Sequence, residues 1–461
     1  MNRFIRNNWL KTAFIFILIF TFCAGIFERR TSAQTGTCTD CTPDEVIFEL
    51  TNPANLGAVV TQYKLVATPI RQFGAPPTFV MSIDRQQTTQ TPGQIVSLMQ
   101  GDGRITKPEV NRKLSVVEKE NLPWTIGRTW SIGRTWSIGG SAKGYGSQWF
   151  PDMIRLREAQ AINKGTRIDN GKPVVIAVLD TGIDLNHPAF AGRLVPGYDF
   201  VDNDNDPSEI GTLRQGAYGH GTHVAGIAAL TAPEAKIMPI RILDPDGVGE
   251  LWRVTAAIIW AANNGADVIN ISFGYPVSPE LLKDILHVCE GIPTPTGKTF
   301  PELLRKLVVI SGAGNGGNSA PIYPAGNRID PQLGVGAVSR YDKLSVFSTM
   351  SPGGSGGDRF IRAVAPGEEI ISTLPGGRYG SWSGTSMAAP IVAGIAAMVR
   401  GQHPDEAPHL IGERIEDGGF QWDCFHRTRG MQVKTSRVDA YCAVSGDYSS
   451  CAGTLSGFCP E

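Results

Sequence analysis

Several unbroken apolar runs punctuate the chain, each closed by small or polar residues. Val174-Val175-Ile176-Ala177-Val178-Leu179 is rich in β-branched residues and does not alternate, so it predicts a parallel strand buried on both faces and ending at Asp180. Val308-Val309-Ile310-Ser311 predicts a similar strand running into the glycine-rich turn Gly312-Ala313-Gly314-Asn315-Gly316. Asp267 to Gly274 predicts a third strand. The small residues Val224 to Ala229 suit a helix packed closely on a sheet, with His220 at its amino end. Met387 to Val399 predicts an apolar helix preceded by a Gly-Thr turn, with Pro390 placed in the first turn, where amide hydrogens lack intrahelical acceptors.

The first third has a different texture. Val46–Leu50, Tyr63–Thr68, Thr78–Ile83 and Gln94–Met99 are predicted as strands of a small domain. Before them, Arg3, Arg6 and Lys11 precede an apolar run from Ala13 to Phe27, with Thr31-Ser32-Ala33 as a small-residue cleavage site. That run is shorter than the roughly 20 residues that span a bilayer, which predicts a secretory signal and no stable membrane anchor. After them comes a repeat of period six, Trp124 to Thr129, Trp130 to Thr135 and Trp136 to Gly139. Three copies are too few for a solenoid and read as an expanded linker.

With 461 residues the chain holds a domain of about 250–300 residues plus additional pieces. Lys plus Arg is 42 and Asp plus Glu is 43, so no charge asymmetry points to nucleic acid. Of eight cysteines, Cys23 falls in the leader. Four others, Cys424, Cys442, Cys451 and Cys459, predict one or two disulfides at the carboxyl end of an exported protein. The pair Cys38 and Cys41 has no partner pair at zinc spacing.

The chemistry lies in three segments: Asp180-Thr181-Gly182, Gly219-His220-Gly221-Thr222-His223, and Ser383-Gly384-Thr385-Ser386-Met387-Ala388-Ala389-Pro390. They supply an acid, a base and a hydroxyl, which acyl transfer through a serine requires. Each has a plainer reading: a turn aspartate, a core histidine or a two-histidine metal pair, and a helix-capping serine. The G-x-S-x-G elbow of α/β hydrolases is absent.

In this order and with these neighbours, the segments resemble those of the subtilisin-like serine proteases, over about residues 150 to 444. The resemblance implies a three-layer α/β/α fold with a mostly parallel central sheet, preceded by a small α+β propeptide-like domain. It implies Asp180 as orienting acid, His220 as general base, Ser386 as nucleophile, and Asn315 with the Ser386 amide as oxyanion donors, leaving His223 structural. Ser272, Phe273 and Gly274 resemble the strand that pairs with substrate on one side, and Gly247 and Gly249 the strand on the other. Gly312, Ala313 and Gly314 complete small, uncharged pocket walls, which implies apolar or broad specificity; Ile322, if it points inward, makes the pocket shallow. Ile391 departs from the histidine many members carry.

Asp199 and Asp204 sit in an acidic run resembling a calcium loop of thermitase-like members; a solvated acidic loop is the alternative, and no cofactor is required for the chemistry. Gly103 to Asn111 resembles the end of a subtilase propeptide, which would aid folding and occupy the site until cut. The expected layout is a signal peptide at 1–33, a propeptide-like domain at 34–120, the repeat-bearing linker at 121–145, the catalytic domain at 146–444 and a cysteine-containing tail at 445–461. The expected function is that of a secreted serine endopeptidase acting on protein or peptide substrates. The competing classes are a binding protein on a degenerate protease scaffold and a metallohydrolase using the two histidines.

Overall fold

The computed structural model describes residues 40–74, 76–116, 125–126, 136–138, 140–289, 304, 306–327, 332–351, 359–451 and 453–459. The expected signal peptide, Cys23, Cys38 and most of the tryptophan repeat lie outside the described residues. The chain divides into two units, residues up to Arg71 with Phe79–Val110, and Gln72–Thr78 with Asn111–Glu461.

In the first unit, strands β1 (Cys41–Leu50), β2 (Thr78–Ser82) and the start of β3 (Ile105–Val116) pair in the order β3-β1-β2. Two segments predicted as strands are otherwise. Gln94–Met99 belongs to helix α2 (Pro92–Met99), and Tyr63–Thr68 begins at the last residue of helix α1 (Leu56–Tyr63). The physical reason is local. Thr91 and Gln94 form a capping box, Pro92 pre-sets the first turn, and Ile95 and Met99 recur at a one-turn spacing that buries both. Such a cap contributes about 1 kcal/mol. Val59, Tyr63, Ile95 and Met99 cover Val46, Phe48, Leu50, Phe79 and Met81.

The second unit is built on a ten-stranded sheet. Its strands are β4 (Val175–Asp180), β5 (Tyr198–Asp199), β6 (Lys236–Arg241), β8 (Val268–Ile271), β10 (Val308–Gly312), β11 (Leu333–Val338), β12 (Ile361–Pro366), β15 (Phe420–His426), β16 (Met431–Arg437) and β17 (Thr454–Phe458). The spatial order is β17-β15-β16-β12-β11-β10-β8-β4-β6-β5, with every pair parallel except β15–β16. The mostly parallel sheet is as expected. Both neighbours of β4, namely β6 and β8, follow it in sequence on opposite sides, so a topological switch lies at its carboxyl end.

Ile176 and Val178 join the core shared with helices α3 (His220–Thr231) and α5 (Thr385–Gln402), while α4 (Leu251–Asn263) also packs on β4. Strand side chains alternate, so Asp180 has the parity of Ile176 and Val178 and faces α3 and α5. Pro390 lies in the second turn of α5, not the first. Its missing N–H leaves the Ser386 carbonyl without its helical donor, and the Ser272 hydroxyl supplies one at 3.3 Å.

The carboxyl end is not an appendage. β17 pairs with β15, and Cys424–Cys459 joins that region with Cα atoms 5.0 Å apart. A second bridge links Cys442 to Cys451, so the expected carboxyl-terminal disulfides are present. Cys41 is disulfide-bonded and Cys289 is buried. The repeat contributes short strands, with Trp136–Ile138 antiparallel to β14 (Arg378–Trp382), which itself pairs with β13 (Ile370–Leu374). Among the described residues, no helix is long and apolar enough to cross a membrane.

Candidate active site

At the switch point, the chain brings the predicted residues to one place. Asp180 ends β4 and is fully buried; its Oδ1 lies 2.7 Å from Nδ1 of His220, the first residue of α3. The close approach needs Gly221, because a Cβ there would stand 2.1 Å from the Gly182 carbonyl oxygen and 3.1 Å from the Asp180 Cβ. One strand over, the β4–β8 register pairs Leu179 with Ile271, which brings Ser272 level with Asp180. Ser272 holds Ser386 twice: its carbonyl accepts from the Ser386 hydroxyl at 3.1 Å, and its own hydroxyl donates to the Ser386 carbonyl.

Asn315 follows β10, next but one again. Its Oδ1 accepts from the Thr385 amide at 2.9 Å, while the Gly314 amide donates to the Thr385 hydroxyl at 3.1 Å. This fixes the Asn315 amide beside the residue that precedes Ser386. The Ser386 amide is in the first turn of α5, where N–H groups have no acceptor within the helix.

His223 is set apart by its surroundings. Its ring stacks on Trp382 with centroids 4.4 Å apart and planes 4° apart, and Nε2 meets the Gly380 carbonyl at 3.2 Å. Burial pushes its basicity down to about 3, so it stays neutral.

The expected peptide-binding strands flank an extended piece of the chain itself. Lys113, Leu114 and Ser115 of β3 pair antiparallel with Glu250, Gly249 and Val248 of β7 (Val248–Glu250). On the other edge, Ser115 and Val116 pair antiparallel with Gly274 and Phe273 of β9 (Phe273–Gly274). Leu114 and Val116 are buried, Lys113 is exposed, and the Val116 amide donates to the Gly247 carbonyl at 3.0 Å. Asn111 donates to the Glu250 carboxylate at 3.0 Å.

Ile322 turns inward: a Cβ on Gly274 would lie 2.2 Å from its Cγ2, and one on Gly314 2.8 Å from its Cγ1. Gly312 packs on Thr385. Ala313 departs from expectation, because its methyl joins a cluster with Val338, Leu344 and Met350 and leaves only backbone to line a cleft.

The acidic loop is tied together from within. Asp199 Oδ1 accepts from the amides of Val201 and Asp202 at 2.6 and 3.1 Å, and its Oδ2 is bound to Arg241. Arg241 also binds Asp202, and Asp199 and Asp204 exchange backbone hydrogen bonds. A buried guanidinium thus pairs with Asp199 and Asp202, while Asp204 accepts from the Asp206 amide at 2.9 Å.

One residue escaped sequence reasoning. Glu209 turns its carboxylate inward to accept from Thr181 Oγ1 at 2.6 Å, the Gly219 amide at 2.9 Å, and the amide and hydroxyl of Thr222 at 3.0 and 2.8 Å. Burial, with a smaller push from Asp180, raises its ionisation to about 7 against those hydrogen bonds. No spacing rule links a loop glutamate to a helix ten positions on, so nothing in the sequence marked it.

Comparison with known proteins agrees with this geometry. The family described as subtilases matches residues 171–417. The chain is 39% identical over 310 residues to the thermophilic serine proteinase of Bacillus sp. strain AK1, covering 65% of this chain and 67% of that protein. It is 39% identical over 312 residues to thermitase of Thermoactinomyces vulgaris, covering 64% of this chain and 95% of that protein. Among solved structures, fervidolysin from Fervidobacterium pennivorans, a keratinolytic enzyme related to subtilisin, has the same fold with a TM-score of 0.66 at 23% identity, covering 90% of this chain and 62% of that one. A strand-end aspartate bonded to a helix-start histidine, on a sheet of this topology and within these relationships, leads to one conclusion: the chain belongs to the subtilase family and is a serine-type endopeptidase.

Proposed function

We propose that the chain is a secreted endopeptidase in which Ser386 attacks the peptide carbonyl, His220 carries the proton and Asp180 orients the imidazole. The observation that carries this reading is the 2.7 Å contact between Asp180 and His220 Nδ1, with Ser386 of α5 held by Ser272, the residue level with Asp180 at the end of the adjacent strand. With Nδ1–H donated to a buried carboxylate, Nε2 is the basic nitrogen. In this reading the Ser386 hydroxyl leaves the Ser272 carbonyl to which it now donates and gives its proton to that base. The Asn315 amide nitrogen and the Ser386 N–H are the donors for the oxyanion. Removing such a donor costs about 10²–10³ in turnover, the magnitude that subtilisin itself exemplifies.

Substrate lies, on this reading, where residues 113–116 lie, as a strand between β7 and β9, with Gly247, Gly249, Ser272, Phe273 and Gly274 contributing backbone. The segment is then the chain's own inhibitor, the end of a pro-region that must be cut and leave. Gly312 and Gly314 bound the primary pocket and Ile322 fills it, so small residues are preferred at the position whose carbonyl is attacked. Export by the amino-terminal leader completes the reading.

The test is covalent labelling with a fluorophosphonate on the matured chain. Modification at Ser386, abolished in Ser386→Ala and indifferent to chelators, is expected. Labelling elsewhere, or peptidase activity surviving in Ser386→Ala, overturns the assignment.

A further inference from the structure

We propose that Glu209 is a positioning residue for catalysis, a carboxylate strut tying the turn after β4 to the first turn of α3 so that Asp180 and His220 stay in register. The inference rests on the triad reading above. The strut runs through two threonines. Thr181, next to Asp180, donates its hydroxyl to Glu209 Oε1, while the threonine oxygen accepts from the amide of Gly221, next to His220, at 2.9 Å. Thr222 donates its hydroxyl to Oε2 while accepting from the Asp184 amide at 2.9 Å. Each hydroxyl has one proton and an oxygen already in use, so each is committed to Glu209.

The amides of Gly219 and Thr222 add two more donors, and all four groups facing the carboxylate therefore give protons. An ionised carboxylate satisfies all of them and nothing else of its shape does. Gly219, at the cap position of α3, has no side chain to cap the helix; Glu209 does so from a separate loop, with its charge at the favourable end of the helix dipole. The glutamate's own amide donates to the Ile183 carbonyl at 3.0 Å, anchoring the strut in the loop that leaves Asp180.

Protonation would place an O–H among groups that only donate, so the strut functions as the anion. Burial resists that charge, with a smaller push from Asp180 on β4; His220 and Tyr218 flank Gly219 at the start of α3, and Asp184 and the Arg378 cation lie near Tyr218. Its ionisation is consequently set near neutrality, at about 7.

The experiment uses the full chain after its own maturation, with active sites counted by fluorophosphonate titration and rates measured on an acyl-tripeptide p-nitroanilide ending in alanine. On the parent, log kcat/KM is expected to fall below about pH 7 with a slope approaching two, because two groups must be deprotonated. Glu209→Gln is expected to lower kcat per titrated site about 10- to 100-fold with KM little changed, and to reduce the slope to about one. A parent slope of one, together with unaltered per-site kcat in Glu209→Gln, overturns the proposal. Where Glu209→Gln does not fold, Thr222→Val should show the same loss of kcat and Thr222→Ser should recover most of it; equal rates in the two overturn it. A parent chain that takes no probe and cleaves no substrate overturns the triad reading itself, whereas an active parent with indifferent variants removes only the strut.

Discussion

Two glycines, proposed to wall the primary pocket, face the same isoleucine, with Ile322 side-chain carbons lying 2.2 and 2.8 Å from where Cβ atoms on Gly274 and Gly314 would stand. A substrate side chain entering between them meets carbon at once. Each methylene a pocket accepts or refuses is worth about 1–3 kcal/mol. The parent is therefore expected to hydrolyse alanyl over phenylalanyl p-nitroanilides by about tenfold or more in kcat/KM, and Ile322→Gly to shift that ratio toward phenylalanine by a similar factor. Steady-state kinetics on the two substrates checks it; a parent that favours phenylalanine removes Ile322 as the determinant. Sequence showed that a large residue stood here but not which way it pointed, because direction depends on the turn from Asn315 to Pro324. The same limit applies to Ala313, whose place beside the glycines disguised a side chain belonging to another cluster.

Among elements, the long parallel strands were legible because burial on both faces writes an uninterrupted β-branched run. That is why β4, β8 and β10 and the residues closing them follow from pattern alone. Short elements do not. α2, eight residues long, carries isoleucine and valine that suggest strand, and only its capping box discloses helix. The acidic loop was illegible for a different reason: the partner of Asp199, Arg241, is on β6, forty-two positions away and invisible to local pattern. Because that loop is closed by an internal cation, excess EDTA should leave the thermal midpoint unchanged, whereas removing a structural metal would lower it by several degrees (about 1 kcal/mol shifts a domain of this size by about 2–4 °C). Arg241→Leu should instead destabilise by about 3–5 kcal/mol, by stranding a buried carboxylate. Calorimetry on parent and variant separates the two. A midpoint that falls with EDTA restores the metal.

At the scale of the molecule, the motifs disclose the family and the parallel sheet, but not where the pro-region ends or that the polar carboxyl segment adds a strand. Thr454–Phe458 has little apolar character, and its place follows from a disulfide and a neighbour that periodicity does not reveal. The amino-terminal junction is set by register. The described strand ends with Val116 opposite Phe273, and Ser272, one residue earlier on that edge, is the residue bonded to Ser386. On the proposed reading, with residues 113–116 as the end of a pro-region, cleavage falls one residue beyond Val116, so Edman sequencing of the mature enzyme should begin at Glu118, and a start upstream of Ser115 contradicts the register.

If residues 113–116 end a pro-region, as proposed, that scission also changes how the enzyme is silenced. While residues 113–116 are part of the same chain, they compete for the groove at an effective concentration of the order of millimolar, whatever the protein's abundance. Once severed, they become an ordinary ligand subject to dilution. A crowded compartment would keep the groove filled, and release into a large volume would empty it, so the same broken bond leaves dormancy in one place and proteolysis in another.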